Sequence, residues 1–184
     1  MKKYRYTPLT QQPYCCVPTI IQIVLLRRNM QLFSQEEIGY ELGLTVPKKY
    51  KRILPKARTG KKPPAGWGTQ VQVPKYSINH FFKKFKLPLK EEYSPVSKIK
   101  NIKQWIKKQL EEDKDLIVCF NYGKLYSGKG EHVSLLESIH DNMVILVDSE
   151  QKVPKYRTVK LNKLIEAMKY HEKKQGGFWI ISKK

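Results

Sequence analysis

Residues Glu131 to Asp148 read EHVSLLESIHDNMVILVD, and the fold class of the whole chain turns on them. His132 to Ile139 is rich in apolar and β-branched residues, His140-Asp141-Asn142 is polar, and Met143 to Val147 is apolar again. Two such runs joined by a short polar turn predict an antiparallel hairpin. With the turn near residues 140 to 142, positions 132 and 148 fall opposite each other. Cross-strand neighbours stand about 5 Å apart. The spacing therefore predicts that the Asp148 carboxylate holds a ring N–H of His132, the relation of an orienting acid to a general base. His132 also follows the glycine-rich Ser127-Gly-Lys-Gly130, at a strand start where a side chain faces a cleft.

Working outward, Leu116 to Phe120 is a continuous apolar run, a buried strand with Cys119 as a small core residue. After the hairpin, Tyr156 to Leu161 reads as a strand that leads into a helix capped by Asn162, and Phe178 to Ile181 as a last strand. The N-terminal half carries helical periods instead. Pro18 to Asn29 is apolar nearly all round. Ser34 with Glu37 forms a capping box closed by Gly43, and Ser77 caps a helix bearing Ile78, Phe81, Phe82 and Phe85. A short extended piece spans about 87 to 93, and Asn101 opens an amphipathic helix through Ile102, Trp105, Ile106 and Leu110. Helices first and antiparallel strands afterwards predict an α+β fold.

At 184 residues and 40% hydrophobic content, the chain is sized for one core, so a single domain over 1–184 is expected. Cysteines occur only at 15, 16 and 119. The odd count gives no disulfide framework and points to a reducing, cytoplasmic setting. No signal peptide is visible in MKKYRYTPLTQQ, and the apolar run from Pro18 to Leu26 is too short to cross a bilayer. No CxxC pair or HExxH occurs, so neither a zinc site nor a cofactor is expected.

Charge is the outlier. Lys and Arg number 36 against 16 Asp and Glu, a net +20. Such a field attracts nucleic acid, anionic membrane or an acidic polypeptide. The stretch PKKYKRILPKARTGKKPPAG, residues 47–66, holds eight basic residues, four prolines and two glycines. It is expected to be a basic loop insertion without a core of its own, either a solvated insertion or a binding loop for an acidic partner.

Tyr14-Cys15-Cys16-Val17-Pro18-Thr19 places two thiols before the first helix. Adjacent cysteines seldom bond to each other, because disulfide geometry wants a wider separation. Pro18 suits a first helical turn, and a thiol at a helix mouth sits in positive potential that favours the thiolate. Simple packing is the other reading, since cysteine is among the most buried residue types. A nucleophilic thiol would need a base, an orienter and oxyanion donors; His132 and Asp148 supply the first two.

Three boxes in order carry a resemblance. Cys16-Val-Pro-Thr-Ile-Ile, preceded by glutamines, resembles the Cys-Gly-Pro-Ala-Ala-Leu box of papain-like cysteine peptidases of the bacteriocin-processing (double-glycine leader) type. Gly130-Glu-His-Val-Ser-Leu-Leu resembles that family's Gly-His-Phe-Val-Val-Leu strand, and Val147-Asp-Ser its Asn-Asp-Pro. FSQEEIGYELGL and Gly68-Thr69 are weaker echoes, so the similarity spans about 11 to 150. It implies a papain-like fold, with N-terminal helices packed on a C-terminal antiparallel sheet. It implies that Cys16 is the nucleophile, since Pro18 follows it by two as in the family, while Cys15 matches a variable position. It further implies His132 as base, Asp148 as its orienter, and an upstream glutamine at the oxyanion. Gln11 and Gln12 both qualify; Gln11 is preferred because it leaves more chain to curl towards the thiolate. The implied activity is cleavage of a peptide or isopeptide amide, with an acidic peptide or protein substrate suiting the charge. Transpeptidation or deamidation by the same residues, or a nucleic-acid- or ribosome-associated binding module, are the alternatives. The chain departs from the family at Val17, at Ser149 and at Glu131, a carboxylate next to His132 that could raise the imidazole's pKa. His140 and His171 are expected to be solvent-exposed.

Overall fold

The run CVPTIIQIVLLR has no polar face. In the computed structural model, which describes residues 4–51, 54 and 60–184, it forms helix α1 (Cys16–Arg27) with Ile20, Ile21, Ile23, Val24 and Leu25 fully buried. By contact the chain divides into two compact units, Met1–Pro88 with Ser149–Val153, and Leu89–Asp148 with Pro154–Lys184.

The first unit is helical. α1 packs on α2 (Gln35–Glu41), whose N-terminus carries the reciprocal capping box expected from Ser34 and Glu37. α3 (Ile78–Lys84) begins where the Ser77 side chain accepts from the His80 N–H. All three helices end alike, with a left-handed residue after the last turn: Asn29 (φ 52°), Gly43 (φ 64°) and Lys86 (φ 53°). In each case the next N–H reaches back to the last turn, as Met30 does to the Leu25 carbonyl at 3.0 Å, the Schellman arrangement. Gly43 is required there twice over, because a Cβ would also meet the Tyr76 ring at 2.7 Å. Phe33, Phe81, Phe82 and Phe85 form an aromatic cluster through ring contacts of 4.5 to 5.9 Å, with Phe33, Phe81 and Phe82 in the core and Phe85 half-buried at its edge.

Of the basic stretch 47–66, residues 52, 53 and 55–59 lie outside the described residues. Its described part is less loose than its composition suggests. Bridges Thr45↔Gly68 and Val46↔Ala65 tie its two ends, and Lys48–Tyr50 makes a 3-10 turn. Leu54 is buried in a small cluster with Cys15, Leu44 and Val46. One leucine and one anchored tyrosine thus give the segment a foothold that a count of its charges and prolines does not reveal.

The second unit is a six-stranded antiparallel sheet in the order β1-β6-β2-β3-β4-β5. Its strands are β1 (Leu89–Ser94), β2 (Asp115–Asn121), β3 (Glu131–His140), β4 (Met143–Val147), β5 (Tyr156–Lys160) and β6 (Gly177–Lys183). Helices α4 (Ile102–Glu111) and α6 (Leu161–Tyr170) pack on it, and a short α5 (Tyr122–Leu125) follows β2. Leu116, Val118, Phe120, Leu136, Leu146, Phe178 and Ile180 line the covered face with Ile106, Leu164 and Met168 from the helices. The class is α+β. Asn162 does not cap α6: Lys160 holds that position with no side-chain bond, and Asn162 lies inside the first turn. The helix begins as soon as β5 ends, so the capping position falls on Lys160, whose ammonium has no acceptor to offer the first N–H groups. Among the described residues no helix is long and apolar enough to cross a membrane.

Candidate active site

The two strands of the expected hairpin form, with Asp141 and Asn142 as the turn, but their register differs from a simple count. Leu135 pairs with Val147, and the ladder shifts between Leu136 and Ser138, a β-bulge around Glu137. Continuing the register would set Asp148 opposite Ser134, not His132. His132 and Ser134 share a face because side chains alternate along a strand, so the carboxylate reaches the imidazole along the diagonal. His132 Nε2 and Asp148 Oδ1 are 2.8 Å apart, with the two residues 5% and 0% exposed. Phe120, the cross-strand partner of His132, and Tyr122 both set their rings edge-on to the imidazole. The dyad lies at the end of the apolar face, where β2 gives way to α5.

Asp148 has a second partner that the sequence did not reveal. Arg157, on β5, donates to Asp148 Oδ2 at 3.3 Å and to the Tyr122 hydroxyl at 3.3 Å. Its guanidinium carbon stands 3.3 Å from the centroid of the Tyr126 ring. Burial raises the pKa of the Tyr126 phenol, against the opposing field of Arg157. The register Leu146↔Arg157 explains the meeting, since Leu146 and Asp148 point the same way. Only a third strand brings Arg157 there, so hairpin spacing alone could not have found it.

The Glu131 carboxylate pairs away from its neighbour's imidazole. On a strand the next residue faces the other side, and Glu131 pairs with Lys174 at 3.1 Å and His171 at 3.5 Å. His171 is accordingly buried rather than exposed, and burial lowers its pKa. His140, at the strand end, is exposed as expected. Cys119 is buried in β2.

Cys16 and Gln11 belong to the first unit. Gln12 to Cys15 make a turn closed by Cys15 N–H to the Gln12 carbonyl at 2.9 Å, with Pro13 second and Tyr14 third at φ 65°, the pattern of a type II turn. The turn delivers Cys15 as the N-cap of α1 and Cys16 as its first helical residue. The adjacent thiols diverge in consequence. Cys15 is fully buried, its carbonyl takes both the N–H and the hydroxyl of Thr19, and burial pushes its thiol up to about 12. Cys16 is half-buried and reduced, at the helix end where the first N–H groups have no intrahelical partner.

Gln11 is buried and tightly held. Its Oε1 accepts from the Ser149 hydroxyl at 2.7 Å, and its Nε2 donates to Glu150 Oε2 at 3.0 Å. Its N–H donates to the Ser149 carbonyl at 2.8 Å, and its carbonyl accepts from Gln151 Nε2 at 3.0 Å. Gln12 uses its N–H on the Gln35 side chain at 2.8 Å. A cavity of about 430 Å³ in the same unit is lined by Cys15, Glu36, Tyr40, Lys61, Lys62 and Lys75, among others.

Against known proteins, no family model and no curated protein matches the chain. Among solved structures it is similar to a "putative C39-like peptidase" from Bacillus anthracis, with a TM-score of 0.63 at 11% identity over 100% of this chain and 99% of that one. The chain therefore has the fold of a C39-like peptidase.

Proposed function

We propose that the protein is a thiol-dependent hydrolase that cleaves a peptide or isopeptide amide through Cys16, His132 and Asp148. The observation that carries this reading is the buried His132–Asp148 hydrogen bond through Nε2, on a C39-like peptidase fold. With Nε2 engaged by the carboxylate, proton exchange with the thiol falls to Nδ1. The Cys16 proton passes to Nδ1, and Sγ attacks the amide carbon. The tetrahedral oxyanion forms against the Cys16 N–H and a Gln11 amide N–H. The C–N bond then breaks as the imidazolium gives its proton to the leaving amine, and a thioester remains. Water, deprotonated by His132, opens the thioester and restores the thiol. Among peptidases of this fold, the bacteriocin-processing type is the one its sequence boxes resemble. The lysine-lined cavity beside Cys15 favours an acidic peptide, and the three free cysteines suit a cytoplasmic setting.

The test is labelling with an electrophilic thiol probe followed by peptide mapping. Cys16 is expected to react first, ahead of Cys15 and Cys119, and His132→Ala should slow its labelling by about 100-fold or more. Hydrolysis of a peptide reporter should vanish in Cys16→Ala. Preferential reaction at Cys15, or labelling of Cys16 indifferent to His132→Ala, would overturn the reading.

A further inference from the structure

A carboxylate held by one hydrogen bond can still turn about its terminal torsion, where the rotamer wells are broad. Asp148 is held on each oxygen: His132 Nε2 on Oδ1 at 2.8 Å and Arg157 Nη1 on Oδ2 at 3.3 Å. Arg157 is itself fixed, bonded to the Tyr122 hydroxyl at 3.3 Å and stacked 3.3 Å from the centre of the Tyr126 ring. Tyr122 in turn sets its ring against the imidazole, centroids 5.4 Å apart at 83°. The two tyrosines, the arginine, the acid and the histidine thus close into a ring of contacts within one unit.

We propose that Arg157 is the positioning residue of the dyad: it fixes the plane of the Asp148 carboxylate and shares its charge, so that it sets both the orientation and the basicity of His132. A fully buried carboxylate without a cationic partner is costly. His132 is neutral when it waits to accept a proton, so it cannot be that partner at the moment the base is needed; Arg157, always charged, can. Once His132 is protonated, the divided carboxylate stabilises the imidazolium less than an undivided one would. The imidazole stays acidic enough to return its proton to a leaving amine. The charged and titratable groups around the carboxylate in this unit include His132, Arg157, Tyr122 and Tyr126, while Glu131 turns to His171 and Lys174. The effect on rate rests on the hydrolase reading proposed above; the effect on the imidazole does not.

The experiment follows the His132 ring by NMR titration in the full chain, beside the kinetics of a peptide reporter, in wild type, Arg157→Met and Arg157→Lys. In Arg157→Met, deprotonating the imidazolium would leave a buried carboxylate without its guanidinium, so the His132 midpoint should rise by about one pH unit. At the same time kcat should fall about tenfold with KM held. Arg157→Lys keeps the charge and should return the midpoint towards wild type, with only part of the rate, because an ammonium neither stacks nor forks as a guanidinium does. A midpoint unmoved in Arg157→Met with the fold retained would overturn the proposal. So would a shift equally large in Arg157→Lys, which would mark packing rather than charge. If the midpoint moves as expected in a protein that neither hydrolyses peptides nor labels at Cys16, the clamp stands and the hydrolase reading falls.

Discussion

Ser149 stands where the resembled family has proline, and its hydroxyl is what holds the Gln11 side chain: Oγ donates to Oε1 at 2.7 Å. Glu150 takes one hydrogen of the amide nitrogen, so the second is the one that could meet an oxyanion. A donor that must not reorganise during the reaction is worth more when its other atoms are already bonded. Removing the hydroxyl should therefore cost rate without removing the donor. Ser149→Ala is expected to lower kcat about 5-fold, the size of one ordinary hydrogen bond, against about 100-fold for Gln11→Ala. In the Gln11→Ala background the serine change should cost almost nothing, because the two act through one group. Equal cost in both backgrounds would show that Ser149 acts elsewhere. The sequence preferred Gln11 to Gln12 only for the length of chain it leaves before the thiol; the contact that holds its side chain comes from 138 residues away in the chain, which no local pattern carries.

At the scale of elements, turn chemistry and hydrophobic period made the hairpin readable, and β4 has the bounds the sequence predicts. The register was not readable, because the turn centres between Asp141 and Asn142 rather than at residue 140, which alone would set Asp148 opposite Leu135 on the wrong face. A bulge around Glu137 adds one residue to β3 without disturbing its apolar pattern and moves that partner to Ser134, on the face that positions 132 and 134 share. Helix α2 shows the reverse, a local signal with a distant use. Its first residue, Gln35, takes the Gln12 N–H at 2.8 Å and donates to the Thr10 carbonyl at 2.9 Å, gripping the segment that carries Gln11. The capping box that fixes the start of α2 thereby fixes that grip. Ser34→Ala should cost about 1 kcal/mol in urea unfolding. Gln35→Leu should slow reporter turnover while leaving the labelling rate of Cys16 intact, since the thiol sits on α1. Loss of labelling in a folded Gln35→Leu protein would mean that α2 positions the thiol as well.

At the scale of the whole molecule, composition announced the +20 charge but not its use, since a field has no register and lysines spread along a chain fit many anionic partners. What the fold adds is a line of contacts. Lys49 sits 4.9 Å over the Tyr50 ring, Tyr50 packs at 5.3 Å on Tyr14, and Tyr14 meets Trp67 at 5.4 Å. Tyr14 lies two residues before Cys16, and Trp67 is 77% exposed. The basic stretch is thus anchored by aromatic contacts to the turn that delivers the thiol, with Lys48, Lys49 and Lys51 exposed on its outer side. Charges so arranged should act on encounter, not on bond making. Replacing Lys48, Lys49, Lys51 and Arg52 with glutamine should lower kcat/KM for an acidic peptide about tenfold at low salt. It should also flatten the salt dependence, because exposed charges are screened beyond about 10 Å at 0.1 M. Turnover of a small neutral reporter should not change. If the neutral reporter is lost too while the fold survives, the stretch belongs to the chemistry. If the changes abolish nucleic-acid binding in a protein that never hydrolyses anything, the charge serves a binding module and the thiol is a remnant.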